Sequence, residues 1–283
     1  MFTISGQPIL LMGASGRVGK LLQAHWANAQ NVLTQSRNDD NDLTWSPIED
    51  GARPLVEFNQ RHQGMRAIVA MLGSTPSTSG DMSQTANLAA SVVLAASQAG
   101  IPRVILASSS AVYPLDENLN ENRAPAPTTP YGRAKLEMER VVAELNTDVE
   151  VCCLRIGNVA GADALLGTTS DTPKRLDQFA DGFGPRRSYI GPKSLAECLW
   201  KLAHVDQPLP PILNCAALKP VEMADLLDAA DVPWMWSPAP QERVKTQHIT
   251  LDCMALARIV GEDVLAGHAQ HMVAELLTSG ALQ

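Results

Sequence analysis

Tyr131 and Lys135 stand four residues apart in "TTPYGRAK", residues 128–135. On a helix that separation places both on one face. A phenol with a pKa of about 10 is a poor base at neutral pH, and a nearby ammonium favours its ionised form. The pair is either a general acid/base with its tuning charge or an ordinary helix start that carries a phenol and an ammonium. One strand earlier, "RVILASSSAVYP" offers Ser108, Ser109 and Ser110, hydroxyls able to hold and polarise a substrate oxygen. Of these, Ser108 is expected to cap the strand end, and Tyr113 to pack rather than react. The third feature is "LLMGASGRVGKLL", where Gly13, Gly16 and Gly19 form G-x-x-G-x-x-G between an apolar strand and a helix. Gly13 suits a tight turn, Gly16 a close backbone approach to a pyrophosphate, and Gly19 close helix packing. The free N–H groups at the helix start face the anion.

The end of the second strand selects the dinucleotide. An acidic residue there bonds a ribose 2′-hydroxyl, and an arginine favours a 2′-phosphate. "TQSRNDD" puts Arg37 at that point, with Asp39 and Asp40 just beyond. Arg17, inside the glycine loop, is placed to approach the same phosphate. NADP(H) is the favoured expectation, with NAD(H) as the alternative if Asp39 does the reading.

These groups need a scaffold, and the chain alternates short apolar runs with helical stretches. "PILLMG", "NVLTQS", "AIVAML", "RVILASSS" and "VEVCCLRI" read as strands. "RVGKLLQAHWANA", "PLVEFNQRHQG", the Ala-rich run from Met82 to Ala99 closed by Gly100, and "TPYGRAKLEMERVVAEL" read as helices. "DLTW" follows the second strand so soon that the usual crossover helix is missing. Such alternation gives an α/β fold, a doubly wound parallel sheet with helices on both faces. The last third differs. Residues 161–187 are polar and broken by Gly and Pro, "SLAECLWKLA" and "EMADLLDAA" read as helices, and "PILNCA" and "QHITLD" as short strands. Trp234 and Trp236 are expected to pack. The expected division is a dinucleotide-binding domain over 1–160 and a smaller α/β substrate-binding lobe over 161–283. Segments around 187–203 and 211–216 return to the first domain.

Composition narrows the function classes. A net charge of -8 over 283 residues argues against a nucleic-acid surface and a polybasic membrane patch. No apolar run reaches membrane-span length. Five cysteines without metal-ligand spacing, and histidines without a second partner, predict no metal site. Cys152 and Cys153 should be buried free thiols on opposite faces of one strand. With no basic n-region or cleavage site at the start, a cytoplasmic protein is expected.

Taken together, the glycine loop, S-S-x-x-V-Y and Y-x-x-x-K resemble an extended short-chain dehydrogenase/reductase, of the NAD(P)-dependent epimerase/dehydratase group. The resemblance implies a Rossmann-type fold with catalytic Ser109, Tyr131 and Lys135. Ser109 is selected by its place four residues before Tyr113, and Ser110 is the substrate-side fallback. It implies that Gly13, Ser15, Gly16, Arg17, Val18, Gly19, Arg37, Leu72, Gly73 and Lys135 bind the cofactor. "LRIGNVAG" is similar to the family's L-R-x-x-N-x-x-G, which makes Asn158 a diphosphate contact and leaves Arg155 a structural anchor. "RRSYIGPKSLAE" resembles the R-x-Y-I-H-V-x-D-L-A segment of the family's 4-epimerases, which makes Arg187 a phosphate partner, the role for which a guanidinium fork is suited. There Gly191 and Ser194 replace the histidine and aspartate. Arg243 is only a near match to a second phosphate arginine. The implied substrate is a nucleotide-linked sugar, oxidised, reduced or epimerised at a carbinol or keto carbon by a possible homodimer. The alternatives are reduction of a non-sugar carbonyl and non-catalytic sensing of NADP(H). Convergence of Asn158 and Arg187 on an anion site separates the first reading from the second.

Overall fold

A computed structural model describes residues 6–27, 31–37, 41–73, 82–168, 172–239 and 247–280. Its centre is a seven-stranded, all-parallel sheet. The strands are β1 (Ile9–Met12), β2 (Val32–Ser36), β3 (Leu43–Thr44), β4 (Ala67–Ala70), β5 (Arg103–Ser109), β6 (Glu150–Ile156) and, after four further short strands, β11 (Ile212–Cys215). Their order is β11-β6-β5-β4-β1-β2-β3. Every residue of β1 and β4 is buried, as continuous apolar runs require when helices cover both faces. Alternate residues feed different cores. Ile9, Leu11 and Cys152 join one cluster, and Leu10, Met12 and Cys153 the other. The two adjacent thiols thus lie on opposite faces, and all five cysteines are buried and free.

The helices in chain order are α1 (Arg17–Trp26), α2 (Pro47–Asp50), α3 (Arg53–Arg61), α4 (Thr85–Ala99) and α5 (Pro130–Ala143). Helix α4 starts three residues later than expected, after a 3-10 turn over Met82–Gln84, and ends on left-handed Gly100. The short β2–β3 return is held by the Asp42 carboxylate, which accepts from the Thr34 backbone and hydroxyl, each at 2.8 Å. Among the described residues no helix is long and apolar enough to cross a membrane.

The rest is assembled from short pieces. They are β7 (Asn158–Val159), β8 (Lys174–Gln178), β9 (Arg186–Arg187), β10 (Tyr189–Ile190), α6 (Pro192–His204), β12 (Val221–Glu222), α7 (Met223–Ala229), β13 (Trp234–Pro238), α8 (Met254–Val260) and α9 (Ala269–Thr278). Two expectations fail here. The polar stretch from residue 161 contains β8, which pairs in parallel with β13 and places Trp234 and Trp236 edge to face at 4.6 Å. Neither strand alternates apolar with polar residues, so only the pairing reveals them. Conversely, the strand expected over 247–252 makes isolated bridges at Ile249 and Leu251 only.

Helix α6 ties this part to the sheet, and a buried charge matches its dipole at each end. At its start, Glu275 of α9 accepts from the Ser194 backbone at 3.0 Å and the Ser194 hydroxyl at 2.6 Å. At its end, Arg103 donates to the carbonyls of Leu202 and Val205, each at 2.7 Å. A Cβ on Gly191 would lie 2.0 Å from a Glu275 carboxylate oxygen. A side chain at 191, such as the family histidine, would have to displace this carboxylate from Ser194, and the carboxylate reaching over from α9 stands beside Ser194, where the family's aspartate would be.

Candidate active site

The glycine loop leaves β1 and enters α1. Gly13 sits at φ +77°, and a Cβ there would meet the Met71 carbonyl at 2.4 Å. A Cβ on Gly19 would lie 2.3 Å from the Gly13 carbonyl. Gly13 therefore allows the turn against β4, and Gly19 lets α1 close onto the loop. Gly16 is the N-cap of α1, which has no side-chain cap and no acidic residue in its first turn. Its first N–H groups lack helical acceptors and carry the positive end of the dipole. Ser15 and Arg17 are exposed at this end, while Val18 packs against the core. The sequence reading missed Gln35. Its buried amide accepts from Gly13 N at 3.3 Å and donates to the Trp45 carbonyl at 2.5 Å, bracing the loop against β3. Arg37 is exposed just past β2; Asp39, Asp40 and Arg243 lie outside the described residues. A site with space only for glycine, an open helix start and a flanking arginine fits a dinucleotide pyrophosphate.

The loops at the carboxyl ends of β5 and β6, with the start of α5, form a cleft of about 340 Å³. Ser109, Ser110, Tyr113, Tyr131, Asn158 and Arg187 line it. Five of these are the expected catalytic and substrate residues, drawn from sequence positions almost eighty apart. Tyr131 enters through Pro130 at the helix start, where the Thr129 hydroxyl caps Gly132 N at 3.0 Å. A Cβ on Gly132 would lie 2.0 Å from the Ala111 carbonyl, so glycine lets the helix start press on the serine turn.

Lys135 is buried one turn further on. Its ammonium donates to the Ala107 carbonyl at 2.6 Å and the Leu72 carbonyl at 3.1 Å, beside Gly73. Lys135 thus joins the end of β4, where Leu72 and Gly73 were expected to meet the cofactor, to the end of β5. Burial lowers its pKa to about 8, with Cys153 and then Glu139 acting in the opposite direction. Burial raises the Tyr131 pKa, and a hydrogen bond with Ser109 opposes the rise. The expectation that Lys135 lowers the tyrosine pKa is therefore not met in this geometry. The ammonium lies 5.9 Å from the ring centroid and spends its donors on carbonyls.

Ser108 does not cap the strand; Ser109 does, accepting from Ala111 N at 3.2 Å. Ser108 instead donates to buried Glu139 at 2.5 Å, and Arg155 grips the same carboxylate at 2.6 and 3.0 Å. Arg155 lies over the Tyr113 ring, whose hydroxyl donates to Asn214 at 2.9 Å. The expected packing role of Tyr113 and anchoring role of Arg155 follow from this network. The spacing 131, 135, 139 was the available signal for Glu139. Nothing local points to Asn214.

A second cavity of about 420 Å³ shares Asn158 and Arg187 with the cleft and adds Asp163, Arg175, Asp177, Tyr189 and Gln247. Arg187 donates to the Gln247 amide oxygen at 2.9 Å, and Gln247 donates to Asp177 at 3.2 Å. Tyr189 donates to Asp163 at 2.5 Å, and burial raises the Asp163 pKa. Asn158 reaches this junction because Gly157 allows its strand within 2.5 Å, Cβ position to carbonyl, of Ser188. Trp234 and Trp236 line neither cavity.

Three solved structures share this architecture at low sequence identity. A short-chain dehydrogenase/reductase superfamily protein from Agrobacterium tumefaciens with bound NAD superposes with a TM-score of 0.75 at 16% identity, covering 97% of each chain. UDP-glucose-4-epimerase from Stenotrophomonas maltophila, with NAD and formylated UDP-arabinopyranose, gives 0.73 at 17% identity over 98% of this chain and 100% of its own. UDP-glucuronic acid 4-epimerase from Bacillus cereus, with UDP-glucuronic acid and NAD, gives 0.74 at 15% identity over the same shares. No curated protein matches the chain in sequence. The family match itself spans residues 9–203, from β1 through nearly all of α6 and across every motif that lines the cleft. The chain belongs to the NAD dependent epimerase/dehydratase family.

Proposed function

We propose that the chain is an oxidoreductase or epimerase that moves a hydride at a carbinol or keto carbon of a nucleotide-linked sugar. One observation carries the reading. Ser109 and Tyr131 line one cleft with Asn158 and Arg187, and the Ser109 hydroxyl lies near enough to act on the Tyr131 phenol. The glycine loop, Arg17, Leu72, Gly73 and Lys135 would hold a nicotinamide dinucleotide, which supplies or takes up the hydride when bound. Arg37, just past β2, supports NADP(H), while NAD occupies the distant neighbours above. Measured affinities for NADPH and NADH decide between them; a clear NADH preference removes the NADP(H) reading.

The chain's own groups then act in sequence. Ser109 donates a hydrogen bond to the substrate oxygen and polarises the carbon–oxygen bond. In reduction, the alkoxide oxygen that develops takes the Tyr131 proton, so carbonyl becomes carbinol. In oxidation the carbinol O–H proton returns to Tyr131. The raised Tyr131 pKa keeps the phenol protonated through the neutral range and favours the donor direction. Arg187 and Asn158 anchor the diphosphate, and the second cavity, lined by Asp163, Arg175 and Gln247, receives the remainder of the nucleotide. This polar lining supports a sugar nucleotide over an apolar ketone.

Tyr131→Phe keeps the ring and removes the proton. Turnover on a panel of nucleotide keto-sugars should fall by about 10²–10⁴-fold while dinucleotide affinity is retained. An unchanged rate would remove Tyr131 from the chemistry.

A further inference from the structure

Three consecutive residues at the end of β5 face three consecutive turns of α5. Lys135 donates to the Ala107 carbonyl at 2.6 Å, Ser108 donates to Glu139 at 2.5 Å, and the Ser109 hydroxyl lies beside the Tyr131 phenol. The helical partners stand at i, i+4 and i+8, one stripe of α5 laid along one strand end. The middle grip is the most enclosed. Glu139 is 5% exposed and Arg155 is 2% exposed, and Arg155 holds both carboxylate oxygens from β6. A two-handed bond to β6 and a short one to β5 fix how far α5 slides along the sheet. That position sets the Ser109–Tyr131 distance.

Glu139 stands four residues from Lys135, one turn along the same buried stripe; the two are not in ion-pair contact, because the carboxylate binds Arg155 and Ser108 and the ammonium binds carbonyls. Among the described residues, the titratable or charged groups around the Lys135 ammonium are Tyr131 and Glu139 on its own helix, and Cys153 on β6, with Arg155 reached through Glu139. Burial pushes the Cys153 thiol up to about 12, and burial keeps Tyr131 a neutral phenol. The ammonium's direct partners are the Ala107 and Leu72 carbonyls, and Glu139 is left as the negative charge one turn away.

We propose that Glu139 is a positioning residue for the Ser109–Tyr131–Lys135 set, fixing α5 on β5 through Ser108 and providing the counter-charge for Lys135. This rests on the reaction proposed above for its effect on rate, but not for its effect on Lys135. The experiment is Glu139→Gln in ¹³C-lysine-labelled protein. The Lys135 signal, assigned by its loss in Lys135→Met, is titrated by NMR. Its midpoint should fall by about one unit or more from the wild-type value. A midpoint within about 0.2 units of wild type overturns the counter-charge role. If Glu139→Gln leaves Arg155 unpaired and the protein does not fold, Glu139→Gln/Arg155→Gln is titrated instead; because it also removes a positive charge, the expected fall is smaller, about 0.5 units, and an unchanged or raised midpoint overturns the counter-charge role. Once a substrate turns over, kcat in the folded variant should drop by about ten- to a hundred-fold, with KM within about two-fold. A matching rise in KM, or an unchanged kcat, overturns the positioning role. Absence of turnover on every sugar nucleotide defeats the proposed reaction and leaves the lysine titration standing.

Discussion

The two walls of the cleft are built in opposite ways. The wall bearing Ser109 and Tyr131 rests on a seven-residue strand and a fourteen-residue helix, and its polar groups are paired inside the protein. The wall bearing Asn158 and Arg187 rests on two-residue strands. Its ion pair lies at the rim, between Arg186 and Glu117. A reacting group needs its neighbours fixed to a fraction of an ångström. A group that grips a flexible ligand needs reach, and half-exposed partners serve it. Under the proposed function, the division of labour matches what stands behind each wall: a buried Glu139–Arg155 pair on long elements behind one, and a half-exposed Arg186–Glu117 pair on short strands beside the other.

The sharpest way to break the contrast is to unpair each wall's main ion pair in turn. Glu139→Ala leaves the Arg155 guanidinium buried with no carboxylate beside it and removes the Ser108 acceptor. Breaking a buried pair from one side costs about 3–5 kcal/mol. Urea denaturation should show a loss of that size. A loss under about 1 kcal/mol would mean that water reaches Arg155, and the distinction between the walls would fail.

The same asymmetry explains what could be read in advance. The first wall is a local pattern: glycines three apart, serines at a strand end, and Tyr131 and Lys135 four apart on a helix. Each follows from backbone geometry over fewer than ten residues. The second wall is a set of long-range pairings. Lys174 finds Trp234, Val221 finds Arg187, and Glu275 finds Ser194 across 81 residues. Two-residue strands have no period to detect, so β8 and β13 passed unnoticed and 247–252 was overread as a strand. Arg187 and Asn158 were expected at the cleft, which both line, only because they stand in motifs similar to a known family's. Even in the legible wall, partners were harder to read than positions. Burial could not be seen in "ASSS", so the cap was assigned to Ser108 and the sign of the Tyr131 shift was missed.

Lys135 gives a smaller, pH-dependent test of the first wall. Its folded pKa of about 8 lies below the ordinary lysine value of 10.5. Below pH 8 both folded and unfolded chains carry the proton, and the folded state bears the full desolvation cost. Between about 8 and 10.5 the unfolded chain binds more protons, so stability rises with pH. Measured against Lys135→Met, the wild type should gain on the order of 1–2 kcal/mol between about pH 8 and 9.5. A flat difference would place the ammonium in contact with water. A falling one would mean that its partners over-compensate burial.

The smallest expected effect belongs to the second wall and completes the comparison. Arg186 and Glu117 are 39% and 44% exposed, and His248 lies 4.0 Å from the same carboxylate. Water already solvates both ends, and two long side chains lose rotamer freedom to meet. Their pairing therefore contributes about 0–1 kcal/mol. Glu117→Gln should shift the urea midpoint barely beyond error, and about 1 M salt should erase even that, because screening then acts within about 3 Å. The loss in Glu139→Ala should persist at the same salt, since ions cannot enter around a guanidinium that is 2% exposed. If Glu117→Gln costs as much as Glu139→Ala, and keeps its cost in salt, the Arg187 wall is as rigid as the Tyr131 wall. The substrate would then be gripped by a preformed site, and the assignment of reach to one wall and fixation to the other would have to be abandoned.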